Sequence, residues 1–322
     1  MPVLRKFLIV IVALLFAWSV ASVWYDAPIA WASWLAGLLV VSAAVGLWRG
    51  GLRVGLGIAA GVFVVVLSWW LTLEPRNDRH WLPDQARLAR AEIEGDNLTI
   101  YNVRNFNYRT ETDFDERWET RTFDLRQLNA LDLYLVYWGS PHIAHTMMSW
   151  AFADGQHLTV SIETRKELGE SYSAVRGFFR NYELYYVVGD ERDLVKLRSK
   201  VRGEDVYLYR LQTKPEHPRL LLMEYIRNIN ELNTKAQWYN AATTNCTTTI
   251  QTHIGHIAPD NPWSWKILAN GHLDSLAHAR GTIANSLPFA ELRRRSYINP
   301  IANKTSSEDN LSAVIRAGLP TM

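Results

Sequence analysis

The chain has 322 residues, enough for one ordinary domain plus a smaller element, and its formal net charge is only +2. A nucleic-acid binder normally carries a strong basic excess, so composition argues against that class and no nucleic-acid partner is expected. A single cysteine excludes a disulfide within the chain, and 14 tryptophans are many for this length.

Three apolar runs open the sequence: Phe7–Tyr25, Ile29–Trp48 and Val54–Leu73. Each is about 20 residues long and uncharged, long enough to span a hydrocarbon layer ~30 Å thick. Arg5 and Lys6 precede the first run, and Arg49 and Arg53 follow the second. The loop around Asp26 and Pro28 has no lysine or arginine. The positive-inside bias then puts the N-terminus in the cytoplasm and everything after Leu73 in the periplasm of a bacterial inner membrane. Trp69 and Trp70 would sit at the outer interface. A three-helix transmembrane anchor over residues 1–75 is expected. The alternative for the first run is a cleaved signal peptide, with small residues near Ala21; two more runs following at once favour a retained helix.

Residues 76–322 read as one periplasmic α+β domain with an antiparallel sheet. Ala86–Ala91 suggests a short helical link. Asn97–Val103 alternates like a strand, Arg104–Arg121 is dense in polar residues and reads as irregular, and Leu131–Trp138 is strand-like. Ala144–Phe152 and His157–Glu163 flank an Asp154-Gly155 turn, a strong hairpin signal. Leu184–Val188 and Asp205–Leu211 are further strands. Arg219–Leu232 has the apolar spacing of an amphipathic helix. Thr244–Ile257 reads as a second helix, stopped by Pro259.

Cys246 sits in TTNCTTTIQTHI, where Thr243, Thr244 and Asn245 are good N-cap residues. The thiol therefore falls in the first turn of a helix, where free N–H groups and the dipole favour an anion. A thiolate is such an anion, and a lowered pKa is what a nucleophilic cysteine needs. The plain alternative is a buried cysteine acting as a small apolar side chain.

A thiol nucleophile needs a base. His253 and His256 share its helix, but seven residues along a helix is about 10 Å, beyond hydrogen-bond reach. His145, at a strand start in SPHIAHTMMS, is the candidate base, although a lone histidine is more often structural. Counting back from the turn, His145 faces residues 162–166 of the return strand, a window that holds Glu163. A carboxylate at the imidazole Nδ1–H would fix the tautomer and aim the ring at the thiol. The competing reading pairs Glu163 with Arg165 or another arginine. His142 with His145, or His253 with His256, lack matched carboxylate spacing, so neither a metal nor a cofactor is expected. The run Arg293-Arg294-Arg295 reads as a solvated charge run more readily than as a lipid-phosphate contact.

Five segments together resemble the Lnb-type N-terminal periplasmic domain of bacteria. They are NVRNFNYRTETDF (102–114), IAHTMMSWAF (143–152), SIETRKELGE (161–170), YELYYVVGDERD (182–193) and YNAATTNCTTTI (239–250). The likeness runs from about Arg76 to Pro320. It implies a lipoprotein N-acyltransferase class that uses a cysteine. The order of parts, histidine strand first and Asn-Cys helix later, is also similar to permuted papain-like folds such as lecithin:retinol acyltransferase. Those enzymes move an acyl chain from phospholipid through a cysteine thioester. Carried over by motif, Cys246 is the nucleophile, His145 the base and Glu163 a third member. The implied partners are membrane phospholipid as acyl donor and a lipoprotein N-terminus or another amine as acceptor. One departure bears on the acceptor: in the family the membrane helices follow the domain, whereas here they precede it. A cysteine hydrolase of the cell envelope and a non-catalytic envelope scaffold are the rival readings.

Overall fold

The computed structural model describes residues 2–27, 31–258, 260, 262–306 and 310–320. Pro28, Ile29 and Pro259, used in reading the sequence, lie outside them. The chain forms two compact units. One comprises Met1–Arg76 with Ser171–Glu183 and Trp238–Asn240, and the other Asn77–Glu170, Leu184–Gln237 and Ala241–Met322. Two later segments thus join the N-terminal helices.

The first unit is built on α1 (Pro2–Asp26) and α2 (Ala32–Leu71), both long and apolar enough to cross a membrane. From Ala32 to Leu71 the second and third apolar runs of the sequence form the single element α2. As a straight rod its 40 residues would measure ~60 Å, twice a hydrocarbon core. It is not straight. Gly51 has φ +68° and ψ −171°, outside helical geometry. A Cβ on Gly46 would lie 3.6 Å from the Gly55 Cα, a pair that one helix would hold ~13 Å apart. The element therefore doubles back at Gly51, and the two small residues let its arms touch. Trp18 of α1 packs edge-on against Phe63 and Trp70 of α2 at 5.9 and 5.4 Å.

The second unit is organised by a mixed sheet. Its strands are β1 (Arg90–Glu94), β2 (Asn97–Arg104), β5 (Trp118–Asp124), β6 (Leu128–Tyr137), β7 (Ala144–Phe152), β8 (His157–Arg165), β9 (Glu183–Gly189) and β10 (Asp205–Arg210). The short pair β3 (Asn107–Tyr108) and β4 (Phe114–Asp115) forms a separate ribbon. The sheet order is β1-β2-β9-β8-β7-β6-β10, with β5 against β2. The expected antiparallel sheet is corrected at one place: β2 and β9 run parallel, through Arg104 and Gly189. β6 and β7 are central, and every residue of β7 is buried.

Helices α3 (Glu191–Lys196), α4 (His217–Thr234), α5 (Cys246–Ile257), α6 (Leu273–Ala279), α7 (Phe289–Ser296), α8 (Asn299–Ala302) and α9 (Leu311–Arg316) complete the unit. α4 buries the stripe Leu221, Leu222, Tyr225, Ile226, Ile229 and Leu232 at helical spacing. Trp150 of β7 meets it, stacking edge-on against Tyr225 at 4.9 Å and donating its indole N–H to Pro218 O. On a second part of the core, Met147, Val187, Leu194 and Val195 pack with Ile298 and Ile315.

Two local expectations fail for tertiary reasons. Ala86–Ala91 is not helical, because Arg90 and Ala91 open β1. The Asn230 side chain takes both the N–H and the C=O of Ala91, and the Arg165 guanidinium takes the carbonyls of Gln85 and Ala86. Those carbonyls could not also serve a helix. Arg104–Arg121 hides the start of β5, whose mostly polar, half-buried residues supply no apolar alternation.

Candidate active site

The β7–β8 hairpin carries the first two members of the site. Gly155, at φ +87°, makes the turn, and the Asp154 carboxylate accepts the Gln156 N–H. The strands are paired from Ala151 opposite His157 to Met147 opposite Ser161. Two residues further in the same register His145 stands across from Glu163. Their Nε2 and Oε1 atoms are 3.2 Å apart. The Ser161 hydroxyl joins them, 2.6 Å from His145 Nε2 and donating to Glu163 Oε1 at 2.7 Å. Both rival readings of Glu163 hold at once, because Arg198 also donates to its Oε1 at 2.5 Å. The partner arginine is not Arg165, which lies over the Trp81 ring. The carboxylate meets the imidazole at Nε2, not at Nδ1 as expected, so Nδ1 is the ring nitrogen left for the thiol.

Cys246 is the first residue of α5. Asn245 caps the helix: its side chain accepts the N–H groups of Thr247 and Thr248, and the Thr248 hydroxyl accepts the Asn245 N–H, a reciprocal box. A second set of bonds fixes this helix end to β7. The Thr146 and Thr247 hydroxyls lie 3.0 Å apart, and Asn270 donates to Thr247 while accepting the Ala144 N–H. Gly271 is required beside it, since a Cβ there would strike Pro141 O. The Cys246 sulfur lies 3.8 Å from the Thr247 hydroxyl.

The charges alternate along this line. Burial opposes a charged His145, but the neighbouring Glu163 carboxylate overrides it and carries the imidazole up to about 9, with Arg198 opposing and Cys246 assisting. Burial also disfavours a Cys246 thiolate. The His145 charge and hydrogen bonding, with the Thr146 N–H and Thr247 hydroxyl, more than offset that and hold the thiol below its usual range. Burial would raise Glu163 too, yet Arg198 and His145 hold it well below the usual carboxylate range. Along Arg198, Glu163, His145 and Cys246 each group thus favours the charged form of its neighbour. A thiol lowered by a charged imidazole is the electrostatic arrangement that nucleophilic cysteine chemistry requires.

Sequence reasoning missed Ser161, Arg198 and Asn270. Ser161 was readable, since it stands two residues from Glu163 on the same strand face. Arg198 comes from a π-helical turn, Leu197–Val201, and carries no local pattern. Elsewhere, His142 Nδ1 lies 3.0 Å from His272 Nε2. Glu224 of α4 brings a carboxylate to His253 and His256, all three with ligand-type atoms within 4.8 Å. However, its Oε2 already accepts from Arg227 at 2.6 Å and meets His256 at 2.7 Å. Arg294 and Arg295 pair with Glu291, and Arg293 with Asp274.

Residues 114–271 match the family model described as the Lnb N-terminal periplasmic domain. The match covers β4 through Gly271 and so includes Cys246, His145, Glu163, Ser161 and Arg198. No curated protein and no solved structure matches the chain. Residues 114–271 are thus similar to the Lnb N-terminal periplasmic domain, and two helices long and apolar enough to cross a membrane precede them; together these point to a membrane-associated periplasmic protein.

Proposed function

We infer that this protein is a thiol acyltransferase working at the outer face of the bacterial inner membrane. The observation that carries the reading is a helix-start cysteine whose thiol is held acidic by a strand-borne histidine, itself backed by a carboxylate. In this reading the strand histidine and the helix-start cysteine serve as a permuted papain-like pair. The arms of α2 on either side of Gly51, together with α1, would give three spans, with Arg5, Lys6, Arg49 and Arg53 on the cytoplasmic side.

In this reading the Cys246 thiolate attacks a phospholipid ester carbonyl. The Asn245 side chain occupies the N–H groups of Thr247 and Thr248; the Cys246 N–H is placed to steady the oxyanion. The ester C–O bond breaks, His145 gives its proton to the departing lyso-lipid alkoxide, and a thioester remains on sulfur. An amine, such as a lipoprotein N-terminus, then attacks the thioester. His145 takes the amine proton, the C–S bond breaks, and the amide leaves with the thiolate restored. Phospholipid and lipoprotein are both bilayer residents, which suits an anchored enzyme.

Water in place of the amine would make the same residues a hydrolase. Lipoprotein mass spectrometry in cells carrying wild-type or Cys246→Ala protein decides the matter. Loss of N-acylated lipoprotein with Cys246→Ala supports transfer to an amine. Unchanged lipoprotein with loss of envelope-peptide cleavage supports hydrolysis, and unchanged everything leaves a scaffold.

A further inference from the structure

We propose that the segment Ser171–Glu183 is a lipid-binding element that seats its apolar side chains in the outer leaflet beside the helices. The inference rests on the membrane-anchor reading of α1 and α2, and not on the chemistry of Cys246.

The segment is built onto the ends of those helices. Arg180 donates through Nη1 to the carbonyls of Trp70 and Leu73, at 2.7 and 2.6 Å. These belong to the last turn of α2 and the residues just past it, where a cation meets the negative end of the helix dipole. The guanidinium also lies 3.8 Å from the Trp70 ring centre. Asn181 caps α1 in the same way, donating to Tyr25 O and to the Asp26 carboxylate. The Trp70 indole N–H reaches Asp26, so both helices finish at one level. Phe179 packs inward against Tyr25 at 5.0 Å. The segment is fixed at the depth where the helices end.

Its outward side is apolar. Tyr172, Val175 and Phe178 are 48%, 53% and 53% exposed. They are spaced by three residues, and Arg176–Phe178 is a 3-10 turn, in which positions i and i+3 eclipse. Phe178 N–H bonds Val175 O across this turn, which sets Val175 and Phe178 on one side, while Tyr172 stacks on Tyr182. The turn is rigid: Gly177 N–H bonds Ser173 O, and the Tyr182 hydroxyl donates to Ser171 O and accepts the Ser173 N–H.

Lipid is the occupant that fits. Trp24, Trp31 and Trp34 are exposed at this same end of the helices, an aromatic belt of the kind that marks a bilayer interface. Tyr172 and Phe178 continue that belt onto the clamped segment. Arg176, exposed on the same turn, is suited to a lipid phosphate.

The test is site-directed spin labelling of the full chain in phospholipid nanodiscs. Single cysteines replace Val175 or Phe178 in a Cys246→Ser background. Val64→Cys, on an exposed face of α2, serves as lipid reference, and Thr112→Cys as water reference. Labels at 175 and 178 should collide with oxygen much as the lipid reference does. Their collisions with a water-soluble nickel complex should be roughly fivefold or more below those at 112, as for a site at interfacial depth. Nickel collisions equal to those at 112, with position 64 in lipid, overturn the proposal and leave the anchor intact. Water exposure at 64 as well overturns both. The Cys246→Ser background keeps every outcome separate from the acyl-transfer reading.

Discussion

His145 Nε2 and Glu163 Oε1 lie 3.2 Å apart on neighbouring strands, with the Ser161 hydroxyl bound to both. The pair follows the hairpin register, and its charge helps lower the thiol of a cysteine on a distant helix. Glu163 is the main influence raising the imidazole. Replacing it with glutamine keeps the shape and removes the charge. Glu163→Gln should lower the His145 proton affinity, raise the thiol pKa and slow iodoacetamide alkylation of Cys246 at neutral pH by about tenfold or more. An unchanged alkylation rate against pH would show that the carboxylate serves structure only.

Ser161 holds this pair without replacing it, since imidazole and carboxylate also face each other directly. Ser161→Ala removes one buried hydroxyl and its bonds, worth about 1 kcal/mol. Turnover should fall about fivefold, with substrate KM little changed. A loss as large as that of Cys246→Ala would instead make the hydroxyl part of the proton path.

Alkaline stability reports the same imidazole. The folded protein binds the His145 proton more tightly than the unfolded chain does, about 9 against 6.5. Its stabilisation is therefore complete below the unfolded value and is lost as pH rises through about 9. Glu163 acts in the opposite sense: its contribution is present above the ordinary carboxylate pKa and is lost as pH falls through its depressed one. Denaturant unfolding across the alkaline range, with Cys246→Ser in both chains to remove the thiol titration, should show His145 protein losing stability faster than His145→Gln. Parallel curves would contradict the raised imidazole.

Much of the site was legible because it is local. The Asp154-Gly155 turn fixed β7 and β8, and with them the facing positions of His145 and Glu163. Asn245 announced the helix start that carries the thiol, and the observed α5 begins at Cys246 itself. What stayed hidden is what arrives from far along the chain. Arg198 reaches Glu163 from a π turn, Asn270 ties β7 to α5, and Asn230 turns an apparent helix at Ala91 into a strand. Nor could apolar length alone reveal that Ala32–Leu71 is one element broken at Gly51.

The C-terminal tail is another such case. Arg316 of α9 meets Asp132 at 2.8 Å and Glu191 at 2.6 Å, and both carboxylates are buried. Ser149 and Tyr134 also donate to Glu191. Removing the guanidinium leaves the buried Glu191 without its cation, while Asp132 keeps Arg210, so Arg316→Ala should cost about 3 kcal/mol in chemical denaturation. A loss under ~1 kcal/mol would mean that water reaches those carboxylates and screens them as at a surface.

The cap is the cleanest probe of the helix end. Asn245→Ala should cost about 1 kcal/mol of stability, because two N–H groups lose their acceptor. The thiol pKa should rise at the same time as the helix start frays. A stability loss with no change in thiol reactivity would separate the cap from the nucleophile.

The central claim is that Cys246 becomes acylated. Purified full-length protein in phospholipid nanodiscs, quenched in acid and weighed intact, tests it most directly. The account predicts a hydroxylamine-labile fatty-acyl mass on Cys246, absent from Cys246→Ala and discharged by an amine acceptor. Lipoprotein acylation continuing at the wild-type rate with Cys246→Ala, and no adduct on the wild type, would contradict it.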